Sequence, residues 1–183
     1  NGLALEDVAI LKKNKKQIIK LSSEVDELRD NIFYFIKNLD DSSIHASNFY
    51  INILGYLHDM SQSLEYITKL CYKHVNNNHK KLKFSQYKEL KEVYVRFEAF
   101  FEDIKTAFDY RSFDKLGHII ETKQEINNLV VEKIQKQIER TRLEESSPKN
   151  TTLYFNVLVE TKDLLNATTN LLVEYHDAHG KTG

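Results

Sequence analysis

Residues 49–54 read Phe-Tyr-Ile-Asn-Ile-Leu, and residues 153–158 read Leu-Tyr-Phe-Asn-Val-Leu. Five residues after its last leucine, each stretch is followed by an aspartate, Asp59 in the first case and Asp163 in the second. The tyrosine, asparagine, leucine and aspartate positions therefore recur at a constant spacing of 104 residues. Similarity at a fixed long spacing is typical of folds assembled from repeated units. The sequence thus predicts an internal two-fold repeat.

Apolar periodicity between a few breakers predicts about five long helices. The chain has 183 residues with one proline and five glycines, so few residues interrupt a helix. We expect an all-α fold, an antiparallel bundle that forms a single domain over residues 1–183. The predicted helices span residues 3–39, 44–75, 85–110, 116–143 and 151–179.

The first and third predicted helices carry the clearest apolar patterns. Apolar residues recur every seven positions in the first helix, which predicts a buried, coiled-coil-like seam. The seam consists of Leu11, Ile18, Val25, Ile32 and Leu39, with Leu21, Leu28 and Phe35 at the companion position. The core-facing stripe predicted for the third helix consists of Leu90, Tyr94, Phe97, Phe101, Ile104 and Phe108. Phe100 lies off that stripe, which makes it a candidate interface residue.

The repeat extends backward from the quoted stretches. Residues 24–28 resemble residues 125–129 at a spacing of 101 residues, so the loop before the last helix would be three residues longer than its counterpart. The first repeat would span about residues 1–80 and the second about residues 84–179. Each unit would contain three helices, but the first repeat lacks its opening helix.

Composition excludes several classes of function. The formal net charge of -1 argues against a nucleic-acid binder, which is usually basic. No run approaches the roughly 18 apolar residues of a membrane span, and the single cysteine, Cys71, indicates a reducing compartment. The sequence has no glycine-rich phosphate loop, no Cys-x-x-Cys pair and no nucleophile–base motif. We therefore expect a protein that is not an enzyme.

A tandem three-helix repeat with a long final helix in each unit resembles the PhoU family of phosphate-regulation proteins. The phrases at residues 163–172 and 175–177 carry this resemblance. The chain resembles even more closely the PhoU-like cytoplasmic domain at the C-terminus of bacterial Na⁺/phosphate cotransporter-family proteins. The chain begins without methionine, so we expect it to be a domain cut from a longer protein.

The resemblance implies a non-catalytic regulatory or interaction domain in phosphate transport, at the cytoplasmic face of the inner membrane. Its partner would be the membrane transporter domain of the same or a partner chain. A homodimer and an anionic lipid surface are further candidate partners. Two alternatives remain open: a free-standing cytoplasmic PhoU-like signalling adaptor, and a metal-binding helical bundle.

PhoU proteins carry a Glu-x-x-x-Asp motif in the last helix of each repeat, and these carboxylates hold metal clusters. Carried onto this chain, the Glu positions are Asp59 and Asp163, whereas the Asp positions are Ser63 and Ala167. Each pair has lost one carboxylate, so we expect no bound metal and no cofactor. Asp59 and Asp163 remain as candidate ligand or interface residues.

Further candidate residues flank these positions. Asn52 and Asn156 precede the two aspartates, and we expect them to bridge helices by side-chain hydrogen bonds. His58, beside Asp59, is expected to face solvent. The basic residues of the first helix are Lys12, Lys13, Lys15 and Lys16. Such a run is usually a solvated face, but below a membrane it would approach the anionic leaflet.

Overall fold

A computed structural model of the chain describes residues 2–179, with every side chain except those of Ser42 and His45. Within this range the structure contains seven α-helices, two short 3-10 turns at residues 41–43 and 113–115, and no strand. The helices are α1 (Val8–Asp30), α2 (Ile32–Lys37), α3 (Ile44–Asn76), α4 (Phe84–Asp109), α5 (Leu116–Glu121), α6 (Lys123–Arg142) and α7 (Pro148–His179).

Only Asn31 separates α1 from α2, and only Thr122 separates α5 from α6. The seven helices therefore form five helical segments, and the predicted all-α class is confirmed. Asn1 and residues 180–183 lie outside the described residues, so the single domain predicted over residues 1–183 is described only from residue 2 to residue 179.

The helices form a bundle in which α3 and α7 occupy the centre. The α3 helix packs against both α1 and α7, α7 also packs against α5 and α6, and α4 packs against α5 and α6. The Ser22 hydroxyl donates to Glu65 at 3.0 Å, and the rings of Phe35 and Tyr50 lie 5.0 Å apart. The later residue of the α1–α2 segment thus contacts the earlier residue of α3, so the two run antiparallel.

The main hydrophobic core surrounds α7. Leu158, Leu165 and Leu172 recur every seven residues on this helix, and each is 0% exposed. Leu116 of α5 and Val130 of α6 are equally inaccessible and pack in the same cluster. The core is therefore built mostly by the second half of the chain, with α3 closing it from the other side.

A smaller cluster joins α1 to the C-terminal part of α3. It consists of Leu11, Cys71 and Val75, with Val157 of α7 packed against it. Cys71, on α3, is a buried free cysteine. Burial raises the pKa of its thiol to about 11, so the thiolate form that reacts is rare at neutral pH.

The first helical segment differs from its prediction at both its start and its seam. Helix α1 begins at Val8 because Asp7 caps it by accepting a hydrogen bond from the Ile10 amide at 3.0 Å. Leu11 and Val25 are buried, as predicted. The predicted companion residues are exposed instead, at 40% for Leu21, 54% for Leu28 and 40% for Phe35. Apart from α2, which follows it directly, α3 is the only described helix that packs extensively against α1, so one side of the apolar seam stays uncovered.

Helix α4 buries most of its predicted stripe, since Phe97 lies in the core and Leu90, Phe101, Ile104 and Phe108 pack against it. Two positions differ from the prediction. Tyr94 is 50% exposed, whereas Phe100, which was expected at an interface, is only 3% exposed. The buried face also includes two polar residues, Gln86 and Glu89. These two side chains bond to α6, so the buried face of α4 is wider than predicted and includes Phe100.

A buried polar network holds α4 against α6 and α7. The Arg140 guanidinium donates to Glu89 at 2.7 Å, and the Tyr154 hydroxyl donates to the other oxygen of the same carboxylate. Gln86 donates to Gln137 at 3.0 Å. Burial, followed by the bond to Glu89, raises the pKa of Tyr154 far above its usual range. The phenol therefore remains a hydrogen-bond donor at all working pH values.

The last helix begins earlier than predicted. Pro148, expected to lie in a loop, is the first residue of α7. Proline suits this position because the first helical amides have no partner within the helix. The Ser147 hydroxyl accepts a hydrogen bond from the Asn150 amide at 3.2 Å and so caps the helix.

Candidate functional site

The repeated positions meet in a cleft of about 660 Å³ between α3 and α7, which we call the polar cleft. Four pairs of its lining residues are separated by the same 104 positions that relate the two quoted stretches. These pairs are Asp59 and Asp163, Gln62 and Asn166, Ser63 and Ala167, and Tyr66 and Asn170. The first member of each pair lies on α3 and the second on α7.

Helix periodicity and helix direction together create the cleft. Residues three, four and seven positions apart share one face of a helix, so each helix presents one polar stripe. The Asn52 amide near the start of α3 donates to Glu174 near the end of α7 at 3.0 Å. Val157, near the start of α7, packs beside Cys71 near the end of α3. The two helices therefore run antiparallel, and their stripes face the same cleft.

The polar cleft is predominantly acidic. It contains four carboxylates, from Asp59, Glu65, Glu160 and Asp163, and one ammonium group, from Lys69. Lys69 pairs with Glu65 at 2.5 Å, and this bond lowers the pKa of Glu65 although partial burial opposes it. Three carboxylates therefore remain without a cation in the cleft.

Glu160 is the cleft carboxylate whose pKa is raised above its usual value. Partial burial raises its pKa, the nearby charge of Asp163 raises it further, and a hydrogen bond with Ser63 opposes both. Asp59 and Asp163 are both exposed at the cleft surface, whereas Ser63 and Ala167 are buried beneath them. The cleft is therefore suited to a cationic or hydrogen-bonding partner at its surface.

The cleft does not provide a convergent set of metal ligands. Among residues 2–179, no group of three His, Cys, Asp or Glu side chains is arranged to hold an ion. Divalent ions require several converging oxygen or nitrogen donors. The absence of a metal at Asp59 and Asp163 remains a prediction, which metal analysis of the purified protein would test.

The two candidate asparagines behave differently. Asn52 bridges α3 to α7 through its bond to Glu174, which confirms the structural role expected of it. Asn156 is half-buried, and its side chain makes no hydrogen bond within the part of the chain that the structure describes. The expected helix bridge is therefore present at one of the two repeated positions.

The four candidate lysines are not equivalent. Lys12, Lys13 and Lys16 are exposed on α1, and none forms an ion pair with a described residue. Lys15 is half-buried, and its ammonium group lies 4.9 Å from the centroid of the Tyr72 ring. Such a cation–π contact contributes roughly 0.5–1 kcal/mol at an exposed site. Lys15 therefore helps to attach α1 to α3, and only the other three are free for a partner.

His58 does not face solvent as expected. Its ring is turned toward α1, where Nδ1 lies 3.3 Å from a carboxylate oxygen of Asp26. Its side chain is only 22% exposed, and it does not line the polar cleft. The sequence gives no signal for this contact, because Asp26 and His58 belong to different helices.

Several lining residues of the polar cleft were not predicted. Gln62 and Asn166 are both amides at the repeat spacing, so extending the match beyond the quoted stretches would have found them. Glu160 could not have been found in this way, since its counterpart 104 positions earlier is Tyr56. Only the packing of α3 on α7 places Glu160 beside Ser63.

We expect Glu160→Gln to raise the melting temperature at pH 7 and to change it little near pH 4. The folded-state pKa of Glu160 lies above its usual value of 4.5. The folded protein is therefore favoured when this group is protonated, below pH 4.5, and loses that contribution as the pH rises through the raised pKa. Thermal denaturation of both proteins across this range is the measurement.

Asp103→Asn, on the exposed face of α4, is the matched control and should leave the melting temperature nearly unchanged at both pH values. A gain for Glu160→Gln that is equally large at pH 4 would contradict the expected link to ionisation.

None of the helices within residues 2–179 is both long enough and apolar enough to cross a lipid bilayer. Comparisons of the chain with protein-family models, with curated proteins and with solved structures found no match.

Proposed function

We propose that this chain is a PhoU-like regulatory domain that acts without catalysis on a Na⁺/phosphate cotransporter-like membrane protein. The observation that carries the proposal is the polar cleft, which is lined by four residue pairs at a single spacing of 104, with one member of each pair on α3 and the other on α7. An internal duplication accounts for such matched walls, because equivalent positions of two similar units lie on either side of their common axis.

The same proposal would account for the uneven packing of the two halves of the chain. In the second half α4 covers one side of α5 and α6. In the first half no described helix plays that part for α1, which leaves Leu21, Leu28 and Phe35 exposed. A three-helix repeat that lacks its opening helix would have this appearance. The superposition of α1 and α3 onto α6 and α7 remains a prediction.

The proposed mechanism is contact through two surfaces. The three exposed lysines of α1 would approach the anionic lipid leaflet, while the acidic cleft would receive a cationic segment of the transporter. A contact that is stronger in one transport conformation shifts the population toward that conformation. The free-standing adaptor has the same fold and differs only in its partner, so association with a membrane domain distinguishes the two.

The experiment uses vesicles of anionic lipid, either empty or carrying the membrane domain of a Na⁺/phosphate cotransporter-family protein. We expect the chain to co-sediment with both kinds of vesicle at low ionic strength, more strongly with the second, and to alter Na⁺-dependent phosphate uptake. Replacing Lys12, Lys13 and Lys16 by glutamine should weaken co-sedimentation on the order of a hundredfold, at about 1 kcal/mol for each lysine near the surface.

The matched control removes the same charge elsewhere, by replacing Lys80, Lys83 and Lys149, which are also exposed. It should bind nearly as the unaltered protein does, and both variants should melt normally because exposed charges contribute little to stability. Equal binding by the α1 variant would rule out the lysine contact. Binding that the membrane domain does not increase would contradict the transporter partner and favour the adaptor.

A further inference from the structure

An apolar groove of about 750 Å³ lies between α3, α4 and α7, separate from the polar cleft. Its surface is almost entirely aliphatic and aromatic, with Leu64 and Cys71 from α3, Val157 and Leu164 from α7, and Phe97 from α4. Cavities of this size and lining typically bind small apolar or amphipathic molecules.

Two lysines on α4, Lys88 and Lys91, lie at the rim of this groove. They are three positions apart and so are neighbours on the helix surface. Both are exposed, and neither forms an ion pair with any residue from 2 to 179. The only acid at the rim, Glu98, accepts a hydrogen bond from the Tyr94 hydroxyl at 2.9 Å.

The acids that would otherwise neutralise these lysines are held by α6. Glu89 is bonded to Arg140, and Glu92 is bonded to Lys133. The α4 surface beside the groove therefore presents two ammonium groups that form no close ion pair with a described residue, and the acid acting on Lys88, Glu92, is already bonded to Lys133. An apolar groove with positive charge at its rim is complementary to a molecule with an apolar body and an anionic end.

The N-terminal turn borders the groove beside α4. The Tyr87 hydroxyl donates to the Leu3 carbonyl at 3.2 Å, and Leu3 and Ala4 line the groove at that point. A helix with its side chains is about 10–12 Å wide, so a helix in the groove would compete with the N-terminal turn for this part of it. A single alkyl chain is much narrower, which favours it as the occupant.

We propose that the groove binds an amphiphile with one long alkyl chain and an anionic head group. The chain lies along the floor between α3 and α7, and the head group pairs with Lys88 and Lys91. A free fatty acid and a lysophospholipid share this chemistry. This site is independent of the transporter contact proposed above.

The test is calorimetric titration of the isolated chain with octanoate, decanoate and dodecanoate, each below its micelle concentration. Affinity should rise about fourfold for each added methylene. Lys88→Glu combined with Lys91→Glu should weaken dodecanoate binding at least tenfold and leave dodecanol binding unchanged. Lys37→Glu combined with Lys115→Glu, which reverses two exposed charges that do not line the groove, is the matched control and should bind dodecanoate normally.

A second variant, Val157→Phe, fills the floor and should weaken every ligand of the series, while its helical melting transition reports on folding. A lysophospholipid with the same alkyl chain is titrated beside dodecanoate. Tighter binding of either one supports the proposal and shows which of the two classes of amphiphile the groove prefers. Absence of binding, equal affinity for dodecanol and dodecanoate, or insensitivity to both variants would overturn it. Binding of an amphipathic peptide without any amphiphile would also overturn it and indicate a helix-binding groove.

Discussion

Replacing Arg140 by alanine should lower the free energy of unfolding by about 3–5 kcal/mol. Arg140 and Glu89 are each 8% exposed, and their charged groups lie 2.7 Å apart. Removing the guanidinium leaves the Glu89 carboxylate buried with only the Tyr154 hydroxyl as a partner. A buried charge without its counter-charge is strongly destabilising. Denaturant unfolding followed by circular dichroism is the measurement.

The control for this prediction is Arg142→Ala. Arg142 is two residues away on α6 and also pairs with an acid, Glu139, at 3.3 Å, but its side chain is 73% exposed. Such surface pairs contribute roughly 0–1 kcal/mol, so this variant should unfold nearly as the unaltered protein does. If Arg140→Ala and Arg142→Ala lowered the free energy of unfolding by the same small amount, the ion pair of Arg140 with Glu89 would have to be solvated rather than buried.

A triple replacement distinguishes the net contribution of the Arg140–Glu89 ion pair to stability from the cost of leaving one of its two charges buried and unpaired. Glu89→Leu, Arg140→Met and Tyr154→Phe together remove both charges and the hydroxyl that serves them. Replacing a buried ion pair by apolar side chains of similar volume is often nearly neutral. The triple variant should therefore recover most of the stability that Arg140→Ala loses. If it does, the network mainly determines how α4 sits on α6.

Sequence reasoning could not have found this network. The α4 and α6 members of this network are polar, and in a single sequence polar residues indicate a solvated helix face. They are Gln86, Glu89, Gln137 and Arg140. Glu89 and Arg140 are 51 positions apart, so no local pattern connects them. Their burial depends on α4 meeting α6, which is a tertiary event. The errors at Tyr94 and Phe100 of α4 follow from the same cause.

Local features were predicted far better than burial. The second helix was expected over residues 44–75 and spans Ile44–Asn76. It ends where Asn78 adopts a left-handed backbone with φ of 53°, a conformation that asparagine tolerates. Breakers and caps act over a few residues, so the sequence alone suffices to place them. The turn that separates α5 from α6 at Thr122 was missed, because no proline or glycine marks it.

The candidate site was predicted in part, through the repeat. Asp59 and Asp163 were chosen because they recur at one spacing, and both line the polar cleft. The likeness of the two repeats does not extend to every matched position. Tyr50 is 44% exposed, whereas its counterpart Tyr154 is 0% exposed. The two tyrosines are packed against different parts of the fold. A repeat in the sequence does not show which other helices will cover each of its copies.

Leucines that a helical pattern treats alike should therefore differ sharply in their contribution to stability. Leu158→Ala should lower the free energy of unfolding by about 2–5 kcal/mol, because Leu158 is 0% exposed in the main core. Its truncation leaves a cavity that the surrounding helices fill only in part. Leu28→Ala should cost about 1 kcal/mol or less, because Leu28 is 54% exposed on α1.

Denaturant unfolding of both variants, repeated at low and high protein concentration, tests this asymmetry. A large loss for Leu28→Ala at both concentrations would mean that the predicted seam is buried within one chain, against the arrangement described above. A loss that grows with protein concentration would mean that a second copy covers Leu21, Leu28 and Phe35, as in the homodimer proposed from the sequence. An exposed seam contributes stability only when something buries it, so the concentration dependence distinguishes an open face from a shared one.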